Sequence, residues 1–375
     1  MRSSILQPLL LRGVAFQPFS FKSSASSYST LNSVSVLAEK LYNDLTSRKL
    51  PIVHDYLHPQ PSHLLNLTLA DLLPSNNEQK HFQTESQSRI LPALPSISRP
   101  SPLPLAHHLI YFPPQVSLSQ LLPDGTDILH TPGDPFNRRL WAGGNIRFSG
   151  HGPLLDGSRA VCIESIRNVV VKGREGEEKV IVTIERRVGV APEEESEEES
   201  YRRIWMEDES QFGDASVVEN RDLIFMRVKS AEEIRSDQRL FGEPSRIVKS
   251  PSNATFRHSI LPTKALLFRF SALTFNAHSI HLDREYTQNQ EGYRNCLVHG
   301  PLTLTLILSV LQGHLQTLNL RVAQFEYRNL APLFVDEKLT ICGKPKNGGS
   351  SWDVWIEGPD GGLAVRGTAK TCDLA

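Results

Sequence analysis

The chain has 375 residues, and 40 Lys and Arg against 41 Asp and Glu leave a formal net charge of -1. That balance gives no support to nucleic-acid binding, which calls for a basic surplus. No uninterrupted apolar run reaches the roughly 18 residues of a membrane-spanning helix. With 39% hydrophobic and 22% charged residues the chain can build a real core, and at roughly 150 residues per domain its length suggests two domains and a tail. The four cysteines, Cys162, Cys296, Cys342 and Cys372, lie far apart without a C-x-x-C pair. Neither a disulfide framework nor a cysteine-based zinc site is expected, and a reducing compartment fits best.

The first acidic residue is Glu39, whereas Arg2, Arg12, Lys22 and a serine cluster at Ser23, Ser24, Ser26, Ser27 and Ser29 precede it. Basic, serine-rich and acid-free is the composition of a mitochondrial transit peptide, expected over 1–35. Residues 36–58 predict a helical start and then a turn, with Leu37, Leu41 and Leu45 four apart. From 84 to 136 proline is so frequent that regular structure must be short. Trp141-Ala142-Gly143-Gly144 predicts a strand entry with close backbone packing. Ala160-Val161-Cys162-Ile163 and the alternating Val180, Val182 and Ile184 predict strands. The six glutamates of 193–200 predict a solvated loop joining two strands, and 217–229 a closing strand. A domain boundary is expected in the polar stretch near 230–250.

Residues 265–270 predict a strand and 274–296 a polar loop. Pro301 suits the first position of a helix over Leu302–Leu318. That helix is apolar nearly all round and should be enclosed. Four strands are expected after it, at 320–329, 335–344, 351–358 and 362–371, with hairpin signals at Gly348-Gly349 and Asp360-Gly361-Gly362. One buried helix wrapped by antiparallel strands is the hot-dog architecture.

The chemistry gathers around that helix start. His281 is of a type that takes or gives a proton near neutral pH. Asn276 offers an amide that hydrogen-bonds without competing for the proton. The helix N-terminus at His299-Gly300-Pro301 brings unpaired N–H groups suited to an oxyanion. These are the parts needed for proton abstraction next to a carbonyl. His278 and His281 could instead begin a metal site, but no acidic or cysteine partner stands at ligand spacing. His299 is either a second catalyst or a shaper of the turn, and Arg328 either meets a substrate phosphate or pairs on a strand face.

The segment 270–302 resembles the catalytic motif of the MaoC-like, hydratase 2 family, whose wider form has an aspartate, then Asn-Pro, an aliphatic residue and His, with a downstream His-Gly. Here Asn276 stands where the aspartate would be and His281 matches the histidine. The variant Thr274-x-Asn276-x-His278-x-Ile280-His281 is similar to the mitochondrial-type 3-hydroxyacyl-thioester dehydratases, found in fungi as a longer chain of two hot-dog folds. His108-x-x-Tyr111-Phe112, Trp141-Ala142-Gly143-Gly144, Glu219-x-Arg221-Asp222-Leu223 and Tyr327-Arg328-x-Leu330-Ala331-Pro332-Leu333 extend the match over about 100–375. Ser279 and Phe270 depart from it, where arginine and an aromatic hydroxyl are common.

The resemblance implies an α+β double hot-dog, two antiparallel sheets each wrapping a central helix. Residues 36–235 would form a non-catalytic domain and 245–375 a catalytic one. It implies a hydro-lyase that removes water from a (3R)-3-hydroxyacyl thioester, with the substrate on acyl carrier protein or CoA, in type II fatty acid synthesis of the mitochondrial matrix. His281 and Asn276 would be catalytic, and Gly300, His299 and Arg328 would bind substrate or oxyanion. No metal or organic cofactor is expected. The first domain would make room for a longer acyl chain, and a homodimer is left open. A short or branched enoyl-CoA hydratase, of mesaconyl type, and a non-catalytic thioester-binding scaffold stand as alternatives.

Overall fold

The computed structural model describes residues 25–74, 93–150, 152–243 and 247–374. Most of the expected transit peptide, residues 1–24, therefore lies outside the described residues. In chain order the first part gives α1 (Ala25–Thr46), β1 (Val53–Tyr56), α2 (Pro59–Leu69), β2 (Arg138–Phe148), β3 (Arg159–Lys172), β4 (Lys179–Val190), α3 (Glu197–Ile204), β5 (Val217–Met226) and α4 (Ala231–Arg239). The second part gives β6 (Phe256–Ile260), α5 (Lys264–Leu273), α6 (Ser279–Leu282), α7 (Arg284–Asn289), α8 (Gly300–Gln316), β7 (Leu320–Asn329), β8 (Leu339–Lys346), β9 (Ser351–Glu357) and β10 (Leu363–Asp373).

All ten strands join one antiparallel sheet in the order β1-β3-β4-β5-β2-β7-β10-β9-β8-β6. Counted outwards from the β2–β7 seam, each half repeats the same pattern, ending on the short strand that opens its half. Two hot-dog halves thus share one sheet. The seam pairs Gly143 with Arg328 and Arg147 with Gln324. A Cβ at Gly143 would run into the Tyr327 carbonyl and one at Gly144 into the Asn220 carbonyl, so the paired glycines let three strands close up. Close backbone packing was the expectation there.

In the second half α8 is wrapped as its apolar circumference requires. Leu302, Leu304, Leu306, Ile307, Leu308 and Leu311 are buried in the main core with Phe325, Ile341, Val354 and Ile356 of the strands. The first half is covered differently. Between β1 and β2 the described residues hold α2 and two short turns of 3-10 helix at 107–110 and 118–120, as the prolines demand. α1 supplies cover instead, with Leu41 and Leu45 packed on Ile166, Val182, Leu223 and Phe225.

Three expectations change. Residues 265–270 are not a strand but part of α5: Thr263 caps it by accepting the Leu266 N–H, and Leu266, Leu267, Phe270 and Ser271 share a buried helical face. The glutamate run 193–200 is only partly loop. Ser196 and Glu199 form a capping box that starts α3, and three glutamates fall in the first turn, where the helix dipole favours negative charge. The polar stretch 274–296 also carries α6 and α7, the latter capped by Asp283.

Candidate functional site

Between the two halves lies a cavity of about 880 Å³. From the second half it is lined by Asn276, His278, His281 and Gly300, and from the first by Arg139, Trp141 and a set of charged groups. The histidines reach it because α5 ends at Leu273, capped by Thr274, and the chain turns sharply, Phe275 taking a left-handed φ of 52°. The Asn276 side-chain oxygen accepts the His278 backbone N–H at 2.9 Å, which fixes the turn and leaves the amide NH2 as its donor.

His281 follows on α6. Its Nδ1 is 2.8 Å from the Leu297 carbonyl, which can only accept, so Nδ1 carries the proton and Nε2 keeps a lone pair. His299 stacks against it with ring centroids 3.7 Å apart. The His299 Nε2 in turn meets the Ser271 hydroxyl at 2.8 Å. Burial drives the His281 pKa down to about 4, only partly opposed by the Leu297 carbonyl. Burial, then neighbouring histidines, also holds His278 and His299 well below the ordinary value. All three imidazoles are neutral near pH 7, and a neutral imidazole accepts a proton.

Gly300 opens α8, where the first N–H groups have no intrahelical acceptor. Nothing larger fits: an added Cβ would sit 2.6 Å from that of Trp141. Trp141 is itself pinned, donating its indole N–H to the Tyr327 hydroxyl at 2.6 Å and accepting from the Asn329 amide through its carbonyl at 2.9 Å.

The expected site residues are thus partly assembled. Asn276, His281 and Gly300 line one cavity. His299 is fully buried behind His281 and is not among the lining residues, so it supports the ring rather than facing a ligand. Arg328 is exposed on β7 and is likewise absent from the lining. Among the described residues no three His, Cys, Asp or Glu side chains are grouped so as to hold a metal ion.

Sequence reasoning missed the first half's contribution. Arg139 lines the cavity and pairs with Asp127 at 3.0 Å. Glu164 binds Arg186 and, at 3.0 Å, His130. Burial would push the Glu164 carboxyl up, but Arg186 and His130 outweigh it and hold it well below the ordinary carboxylate range. Arg221 meets Glu219 at 2.9 Å and lies over the Trp141 ring. Only Glu219-x-Arg221 carried a signal, through the motif match; Asp127, His130 and Arg139 sit in or beside the proline-rich stretch without one.

Comparisons with known proteins bear on this arrangement. The family described as "Hydroxyacyl-thioester dehydratase type 2" matches residues 106–335. A mesaconyl-C(4)-CoA hydratase of Chloroflexus aurantiacus is 31% identical over 272 residues, 72% of this chain and 84% of that protein. A protein of Schizosaccharomyces pombe named hydroxyacyl-thioester dehydratase type 2, mitochondrial, is 28% identical over 63% of this chain and 76% of its own length. Among solved structures, a MaoC-like dehydratase from Phytophthora capsici superposes with a TM-score of 0.54 at 11% identity, covering 89% of this chain and 99% of that one. That likeness supports the double hot-dog fold, and the sequence match, spanning the seam and the histidine loop, goes further: this chain belongs to the hydroxyacyl-thioester dehydratase type 2 family, a family of hydro-lyases.

Proposed function

We propose that the chain catalyses the reversible dehydration of (3R)-3-hydroxyacyl thioesters to trans-2-enoyl thioesters. The carrying observation is His281, tautomerically fixed by the Leu297 carbonyl and facing a cavity that also receives the start of α8. In the dehydration direction the His281 Nε2 takes the Cα proton. The electron pair left on Cα is shared with the thioester carbonyl, whose oxygen meets the Gly300 N–H as enolate charge develops. That pair then forms the Cα–Cβ double bond while the Cβ–O bond breaks. The departing hydroxyl takes the proton back from His281 and leaves as water. The Asn276 amide donates to that oxygen and orients it.

Within this reading the substrate is bound to acyl carrier protein in mitochondrial type II fatty acid synthesis, residues 245–375 carry the catalysis, and the first half completes the cavity. The acid-free, basic and serine-rich start of the chain supports a mitochondrial address, as does the name of the Schizosaccharomyces pombe relative. A fluorescent fusion of residues 1–40 is expected in mitochondria, and its retention in the cytosol would contradict that address.

A second reading has its own observation. Arg139, Glu164, Arg186 and Arg221 line the first half's end of the cavity, and a long alkyl chain gains little against ion pairs. A short enoyl-CoA with a carboxylate or other polar end matches such a wall better, and the Chloroflexus relative is named for a substrate of that kind. Turnover of carrier-protein and CoA thioesters of increasing length, beside one carrying a distal carboxylate, separates the two. Rates rising with chain length on the carrier protein favour the first. A preference for the short carboxylated CoA ester favours the second. An inactive, folded chain would leave only a thioester-binding scaffold.

A further inference from the structure

We propose that Asp124, from the first half of the chain, holds His278 in the Nε2–H form, so that its Nδ1 accepts the hydrogen bond of the hydroxyl that leaves or the water that adds. The inference rests on the dehydratase reading above. His278 then touches the reacting oxygen, and Asp124 is a positioning residue acting through it.

Two orphaned atoms carry the case. The Asp124 Oδ2 and the His278 Nε2 are both buried, and neither has a hydrogen-bond partner among the described residues. They face each other at 3.4 Å. A buried carboxylate oxygen left without a donor is destabilising, and the donor it faces is a proton on Nε2. Placing it there gives each atom the partner it faces, a contact that becomes a hydrogen bond as the gap closes, and leaves the lone pair on Nδ1, in a residue that lines the cavity. Apo separations in active sites commonly exceed ideal values and shorten when the reactant binds.

The loop around Asp124 is built to present it. The Asp124 Oδ1 accepts from the Thr126 N–H at 2.9 Å and the Thr126 hydroxyl at 2.7 Å, which aims Oδ2 outward. Its backbone carbonyl accepts the Ser279 N–H at 2.8 Å. Gly125, at a φ of 83°, lies so close that a Cβ would run into the Ala277 carbonyl. The first half is therefore locked to the histidine loop on both sides of His278.

The arrangement also accounts for Asn276. The wider motif has an aspartate at that position, and an amide cannot hold negative charge. Here a carboxylate reaches the same loop from the opposite hot dog. The other groups facing His278 are His281, with ring centroids 5.4 Å away and nearly perpendicular, and Arg139, whose charge is set against Asp127. No proton is transferred through His278 in this scheme; His281 carries it, and His278 aligns the oxygen.

Asp124→Asn tests the inference in the full chain with crotonyl-CoA. It keeps Oδ1 and the Thr126 bonds, but its NH2 demands a lone pair on Nε2 and moves the proton to Nδ1. We expect kcat to fall at least about tenfold with little change in KM, because a misaligned oxygen hinders the chemical step rather than binding. The pH profile should change with it. His278→Ala should lose at least as much, and the double variant should be no worse than His278→Ala alone, because Asp124 acts only through that ring. A purely structural Asp124 would instead give losses that multiply. Nitrogen NMR of the wild-type His278 ring, assigned with His278→Gln, decides the tautomer even if Asp124→Asn fails to fold. A proton on Nδ1, or an Asp124→Asn enzyme with wild-type kcat and pH profile, would overturn the proposal. A wild-type chain inactive on every enoyl thioester would instead sink the dehydratase reading itself.

Discussion

His281 is held by one hydrogen bond and one stacked neighbour, and each has a consequence that can be measured. The Leu297 carbonyl at 2.8 Å keeps Nε2 as the basic nitrogen, while burial brings the pKa to about 4. The ordinary value is about 6.5. Protonation disables the base, so activity should be lost as pH falls through the folded-state value. The acid limb of kcat/KM against crotonyl-CoA is therefore expected well below pH 6, and a limb centred near 6.5 would contradict the buried, neutral assignment. At this scale the sequence was informative for His281, Asn276 and Gly300, because motif spacing concentrates all three within one short segment. It was uninformative for Asp124, whose partner His278 lies in the other half of the chain. Arg328 shows the opposite failure: a conspicuous cation in a matching motif that the strand turns outward.

At the scale of elements, α8 and the histidine loop depend on a single missing side chain. Gly300→Ala would press a methyl into Trp141, 2.6 Å away, at the N–H assigned to the oxyanion. Trp141 cannot retreat easily, because its indole and carbonyl are both hydrogen-bonded across the seam. Overpacking of this kind costs about 1–3 kcal/mol. The variant should melt earlier and lose kcat more than its loss of stability alone would explain; a wild-type rate would remove Gly300 from the oxyanion role. The elements that could be read in advance were those whose own residues carry both pattern and punctuation. α8, apolar all round, and β9 and β10, set off by hairpin glycines, follow from their own residues. α5 does not. Six residues of Ala-Leu-Leu-Phe-Arg-Phe satisfy both a strand and a buried helical face, and the Thr263 cap that decides the matter lies just outside the run. β1 and β6, of four and five residues, exist because the sheet edge accepts them, not because their sequences insist.

Across the whole molecule the two halves are unequal copies that divide one cavity. The second brings His278, His281 and the start of α8, and the first brings Arg139 and the paired charges around Glu164 and Arg186, with Asp124 set against His278. The β2–β7 seam makes that division rigid, since ten strands share one hydrogen-bonded sheet. Sequence reasoning reached the double hot-dog through motif matches on both sides of the seam. It did not reach the cavity's charged wall, because ion pairs such as Arg186 with Glu164 and with Glu219 acquire meaning only once β3, β4 and β5 are in register. The central claim, that this assembly moves a proton through His281, is tested most directly by steady-state hydration of crotonyl-CoA with wild type and His281→Ala, both checked by circular dichroism. A positioned acid–base group typically contributes about 10²–10⁴-fold, or at least about 3 kcal/mol of transition-state stabilisation. The account predicts an active wild type and a folded variant whose rate falls by that range. A folded His281→Ala enzyme with a near-normal rate would contradict it.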